Sequence, residues 1–125
     1  MNPPNTNSLF HQLGGMQTVD VAVNVFYAYV INDERINHFF RWVDMENQSY
    51  KMKTFLAYAF GAPINIQWKS LKESHLHLVK AGLNDDHFDA VLENLLCTLR
   101  ELGIAEDLIK QVGQIAERTR EDILR

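Results

Sequence analysis

The chain has 125 residues, enough for one domain and one core, and 46% hydrophobic with 22% charged residues is ordinary globular composition. A formal net charge of −4 gives no electrostatic support for nucleic-acid binding, and no run approaches the roughly 18–20 apolar residues of a membrane span. The single cysteine, Cys97, excludes an internal disulfide and a cysteine-built metal site, so the expectation is a cytoplasmic protein without membrane or nucleic-acid partners.

The opening MNPPNTNS has neither the basic nor the apolar region of a secretory signal. Residues 1–7 read as a disordered lead to a single domain at 8–125. Ser8 to Leu13 is one short helical turn, stopped by Gly14-Gly15. Val19, Val23, Phe26, Tyr27 and Val30 then fall at helical spacing, predicting a helix over Thr18 to Ile31 with one apolar face. A turn follows from Asp33 to Phe40. Asp44 is placed to N-cap a longer helix that reaches Phe60 and stops at Gly61.

APINIQW, with Pro63, has no helical pattern and is expected to be a loop. Ser70 to Glu73 fits the capping box S-x-x-E, and Gly82 lies where that helix would end. Asn84 can cap the next helix, whose stripe is Phe88, Val91, Leu92, Leu95, Leu99 and Leu102 before Gly103. One last helix is expected from Glu106 to Leu124, with Leu108, Val112, Ile115, Thr119 and Ile123 inward. No segment alternates as a strand does, so the fold class is all-α.

Two features stand out of this pattern. His75 has Leu71, Lys72, Leu78 and Val79 as helical neighbours, whereas His77 has Glu73, Ser74, Lys80 and Ala81. His75 therefore points inward and His77 to water. A buried imidazole satisfied by a backbone carbonyl is one reading of His75. A metal ligand is the other, and since His11, His38 and His87 lie on other elements without zinc spacing, haem iron suits one inward imidazole better than zinc. The second feature is the face Gln48, Lys51, Met52, Phe55 and Ala59, which sets a glutamine and a lysine in an apolar stripe. Tyr27 turns a phenol to the same interior. Each has an ordinary explanation: a snorkelling lysine, a tyrosine bonded to backbone, a glutamine at the stripe's edge. Together with His75 they outline a cavity.

The segments VDVAVNVFYAYVINDERINHFF, VDMENQSYKMKTFLAYAFGA and SHLHLVKAGLNDDHFDAVLENL carry Phe26-Tyr27, His38-Phe39-Phe40, Asp44-Met45-x-x-Gln48 and His87-Phe88-Asp89-Ala90-Val91 in order. With SLFHQLGG and TLRELGIAEDLI they resemble group I truncated haemoglobins, the 2-on-2 globins, from Ser8 to Leu124. The resemblance implies a shortened globin fold, a two-over-two helical sandwich around haem b. It makes His75 the proximal iron ligand, Phe40 the ring packed on the porphyrin, and Tyr27 and Gln48 the distal residues. Phe55, Met52 and Leu78 would line the pocket. Lys69 and Lys72 are candidates for the propionates, and Trp42 and Trp68 for packing at helix junctions. No histidine follows His87 to bond a haem vinyl, so non-covalent haem is expected.

Four departures from the family pattern bear on the pocket. Gly61-Ala62-Pro63 stands where a second Gly-Gly is common, and INIQWKSL replaces a loop that usually holds Gly-Arg. Lys51 stands where relatives use histidine, or in some algal members lysine, as a sixth iron ligand. To ligate, the amine must lose its proton, which an apolar environment favours; the competing reading pairs Lys51 with a propionate at the pocket mouth. Met52 replaces a frequent second polar residue. The implied function is binding of dioxygen, nitric oxide and carbon monoxide by a monomer. Nitric oxide dioxygenation to nitrate, served by an external reductase, is the leading physiological reading. The alternative is a redox, electron-transfer or ligand-sensing module with Lys51 on iron and no turnover of its own. A helical interaction domain that has lost haem is the third.

Overall fold

The computed structural model describes residues 9–64 and 68–125, with side chains at 10–64 and 72–125. The expectations for residues 1–7 and for the side chains of Trp68, Lys69, Ser70 and Leu71 lie outside the described residues.

α1 (Leu9–Gln12) leads through Gly14 into α2 (Gly15–Ile31). α2 opens three residues ahead of Thr18, directly after Gly14, with both Gly14 and Gly15 at positive φ. At φ +103° Gly14 is in the left-handed region, and a Cβ there would stand 2.3 Å from Thr18 Oγ1. A 3-10 turn (Asn37–Phe40) precedes α3 (Met45–Ala59), where Asp44 accepts from the Glu46 and Asn47 amides at 3.1 and 3.3 Å. α4 (Trp68–Lys80) already includes Ser70, so Ser70 is a helical residue and not the expected N-cap, and Trp68 belongs to the helix and not to the loop.

α5 (Asp85–Glu101) begins on Asn84, whose side chain accepts from Asp86 and His87 amides, while the Asn84 amide donates to His87 Nδ1 at 3.1 Å. α4 ends with Leu83 N–H donating to Leu78 and Gly82 N–H to Val79, and Gly82 supplies the positive φ that this ending needs. The same pair of reverse bonds closes α3 at Gly61 and α5 at Gly103.

The expected single last helix is two, α6 (Glu106–Glu117) and α7 (Thr119–Leu124). The interruption is local: Thr119, buried, turns its hydroxyl back onto the Ala116 carbonyl at 2.6 Å, competing with the helical ladder. Ile109, rather than Leu108, reaches the core.

α2 packs on α3 and on α5, α5 on α6, and α3 on α6. This is a two-over-two sandwich. Its core joins Val19, Val23, Phe26 and Val30 of α2 to Leu56 and Phe60, to Leu95 and Leu99 of α5, and to Ile109 and Val112 of α6. α5 turns a smaller face inward than its leucine stripe suggests: Ala90, Asn94 and Thr98 are buried, whereas Phe88, Val91 and Leu92 are half-buried. Buried Asn94 is tolerated because its amide donates to Asp33 Oδ2 at 2.8 Å and to the Ala90 carbonyl at 2.9 Å. α4 stands apart from this sandwich, with α7 as its main packing partner. No helix among the described residues is long and apolar enough to cross a membrane.

Candidate functional site

α3 has two apolar faces. One, with Leu56 and Phe60 beyond its end, is fully buried in the core. The other holds Gln48, Met52 and Phe55, which are only half-buried although Met52 and Phe55 touch the core cluster. Phe40, on the 3-10 turn, is also half-buried and meets Tyr27 edge-on, with ring centres 5.8 Å apart. Apolar side chains left part-covered along one flank of a packed sandwich mark a slot that the protein's own atoms do not fill.

Tyr27 lies at the floor of this flank. It is 6% exposed, and its hydroxyl stands 3.4 Å from the Gln48 carbonyl oxygen, a long and weak donation. Burial pushes its phenol up to about 12, against a smaller lowering influence from hydrogen bonding to Gln48. The group therefore stays protonated, and a donor, across the neutral range.

The 3-10 turn that presents Phe40 is tied down electrostatically. Arg35 donates to both oxygens of Asp33, at 3.0 and 2.7 Å, and to Glu93 of α5 at 3.1 Å. The Arg35 hydrogen bonds, helped by Asn94 and opposed by burial, hold the Asp33 carboxyl well below the usual carboxylate range. Neither residue was singled out in the sequence; a polar Asn94 next to the leucine stripe was the available signal.

His75 is half-buried on α4 with Leu78 and Val79, and His77 is exposed, as the helical phase requires. Ser74 Oγ lies 3.3 Å from His75 Nδ1, a contact that constrains the ring. Lys51 is exposed, so it sits at the edge of its stripe and not within it. Trp42 is 92% exposed and packs at no helix junction, because it lies in the turn ahead of α3 with its side chain directed outward. Lys72 turns to α7, donating to the Arg125 main-chain oxygen at 2.7 Å. An outer groove of about 950 Å³ between α5 and α6, floored by Leu92, Leu96 and Ile109, contains none of the site residues.

The donor set fits a planar apolar cofactor held by one imidazole. Among the described residues no three His, Cys, Asp or Glu side chains gather to cage a metal ion. A half-buried histidine on a helix apart from the sandwich, and an apolar flank with a buried phenol, are the residue types that a haem requires.

The bacterial-like globin family model matches residues 8–125. The chain belongs to the bacterial-like globins, among the group I truncated haemoglobins. It is 48% identical over 111 residues to the group 1 truncated hemoglobin GlbN of Synechocystis, covering 88% of this chain and 90% of that protein. The group 1 truncated hemoglobin of Tetrahymena pyriformis is 38% identical over 124 residues, 99% of this chain and 98% of its own. Among solved structures, the cyanomet 2/2 hemoglobin of Synechococcus, with covalently attached heme, superposes with a TM-score of 0.88 at 45% identity, covering 94% of this globin and 98% of that chain. Haem iron is the globin's cofactor, and diatomic gases are its ligands.

Proposed function

We propose that His75 holds the haem iron and that Tyr27 and Gln48 govern the gas bound opposite it. Haem, when bound, supplies an iron that takes a diatomic gas and, with dioxygen and nitric oxide together, the oxidising chemistry that yields nitrate. The chain's residues do the rest. His75 would present its imidazole to iron from α4, with Ser74 Oγ beside Nδ1. Phe40 packs on the macrocycle, while Met52, Phe55 and Leu78 line the slot and exclude water. The Tyr27 hydroxyl, which carries a single proton, would turn from its long contact with the Gln48 main-chain oxygen to donate to a bound gas, and Gln48 is the second distal residue.

The observation that carries this reading is the buried, durably protonated Tyr27 phenol beside Gln48 on a half-covered apolar flank. Lys51, exposed, is assigned to the pocket mouth and a propionate. Met52, in place of a polar group, leaves a thinner donor network and faster ligand escape than Met52→Gln would show. Physiologically the site serves nitric oxide dioxygenation, with one electron returned by an external reductase after each turnover. The protein acts as a cytoplasmic monomer with non-covalent haem in a single domain at 8–125.

Dissociation of dioxygen from Tyr27→Phe tests the reading. Loss of a hydrogen bond to a partly charged acceptor, about 1.5–3 kcal/mol, should speed escape roughly tenfold to hundredfold. An off-rate equal to that of the wild type would remove Tyr27 from the distal role.

A further inference from the structure

The described side chains of α4 do little to hold it in place. None of its described side chains at 72–80 is buried. Its main packing partner, α7, has six residues, too few to persist as a helix on backbone bonds alone. Whatever anchors α7 therefore places α4.

Besides buried Thr119 and the packing of α7 on α6, the side chain that ties α7 to α5 is Arg120, 16% exposed. Its Nη1 donates to Asp85 Oδ1 at 3.0 Å and its Nη2 ion-pairs with Asp89, both in the first turns of α5. Nε and Nη2 also reach the two oxygens of Glu117, at 3.1 and 3.0 Å. The guanidinium carbon lies 4.4 Å from the centre of the Phe88 ring. Hydrogen bonds to Glu117 and Asp89 raise the guanidinium further above its ordinary range, so its charge is permanent. Arg125 adds a second tie to Asp85 at 3.2 and 3.3 Å. Just past the end of α7, the Arg125 main-chain oxygen accepts from Lys72 of α4, and Lys72 is three residues, about one helical turn, ahead of His75. A continuous path of contacts runs from α5 through Arg120 and α7 to the histidine-bearing face of α4.

We infer that Arg120 is a positioning residue for His75: by clamping α7 to the start of α5 it fixes where α4, and with it the imidazole, stands. The inference rests on His75 being the iron ligand. It also explains the residue type, since only a planar fork with five donors can serve three carboxylates and an aromatic face at once.

The experiment compares haem-loaded wild type with Arg120→Met, Arg120→Lys and His75→Gly. It reads the iron–imidazole stretching band of the ferrous protein by resonance Raman, and the rate of haem transfer to a scavenging apoglobin. Arg120→Met should shift the band and speed haem loss roughly tenfold or more, the range seen when a metal ligand loses its supporting group. Arg120→Lys should recover part of both, because it keeps the charge and loses the fork. A lower melting temperature with band and haem loss unchanged would overturn the inference and leave Arg120 a structural staple. If Arg120→Met does not fold, Asp89→Asn, which removes one arm of the clamp, is judged on the same two readouts. A band missing from the wild type, or retained in His75→Gly, sinks the His75 assignment and the inference with it; a band lost in His75→Gly but unmoved by Arg120→Met sinks the positioning role alone.

Discussion

On the reading proposed above, the haem slot has two walls of amphipathic helix, held by different means. α2 and α3 form the distal wall with side chains that are also the core: Val19, Val23, Val30 and Leu56 have no exposed surface, and Phe26 has 2%. The proximal wall, α4, buries none of its described side chains and leans on α7, itself pinned by charges at Arg120. One wall is fixed by packing that exists before haem arrives. On that reading, the other has an apolar face that the cofactor would complete. A binding site built this way keeps its selective groups rigid and leaves adjustment to the side that carries the iron ligand.

If that contrast is right, truncations in the two walls should differ most in the apoprotein. Phe26→Ala is expected to cost about 3–5 kcal/mol of unfolding free energy, a large share of a small domain's stability, measured by urea titration without haem. Equal damage from a truncation on α4 would break the comparison. Asp33→Asn, at the turn that presents Phe40, should cost about 1–2 kcal/mol. Its pH dependence has a fixed sign. The folded carboxyl sits below its unfolded value of about 4, so the wild-type advantage is complete above that value and shrinks as pH falls through it. A difference between the two proteins that stays constant from pH 7 to pH 2 would remove Asp33 as the source.

Leu78→Ala, on α4, is expected to cost about 1 kcal/mol or less in the apoprotein while haem loss accelerates, because its apolar surface is covered by the cofactor and not by the core. The smallest effect is assigned to Lys51→Ala. With the amine at the pocket mouth, ferric and ferrous absorption spectra from neutral to alkaline pH should match those of the wild type. A six-coordinate low-spin spectrum in the wild type, lost in the variant, would move Lys51 onto iron and favour a gated redox function.

Much of the distal wall was legible in the sequence. The spacing of Val19, Val23, Phe26, Tyr27 and Val30 fixes which side of α2 is buried, and Asp44, Gly61, Gly82 and Asn84 mark helix ends through bonds that span only a few residues. The phase of His75 against His77 followed from the same local geometry. The break at Thr119 was not legible, because a threonine hydroxyl can either solvate outward or bond back to its own helix, and burial decides which. The expectation for Trp42 failed for a related reason: a large aromatic ring in a turn packs only if another element passes over it, and none among the described residues does.

What the sequence determined by itself is the helical character of the chain, the caps at Asp44 and Asn84, the glycine ends at Gly61, Gly82 and Gly103, and the inward direction of Tyr27, since these depend on interactions a few residues apart. What only the tertiary structure decided is which apolar faces the chain itself covers and which polar residues are held by distant partners. Met52 and Phe55 are left half-covered while Leu56, on the same helix, is sealed in the core. Asn94 meets Asp33 across 61 residues, and Arg120 meets Asp85 across 35. Such pairings carry no period in the sequence. They exist because two packed helices bring a donor and an acceptor within reach where water is partly excluded, and the fold alone sets that distance.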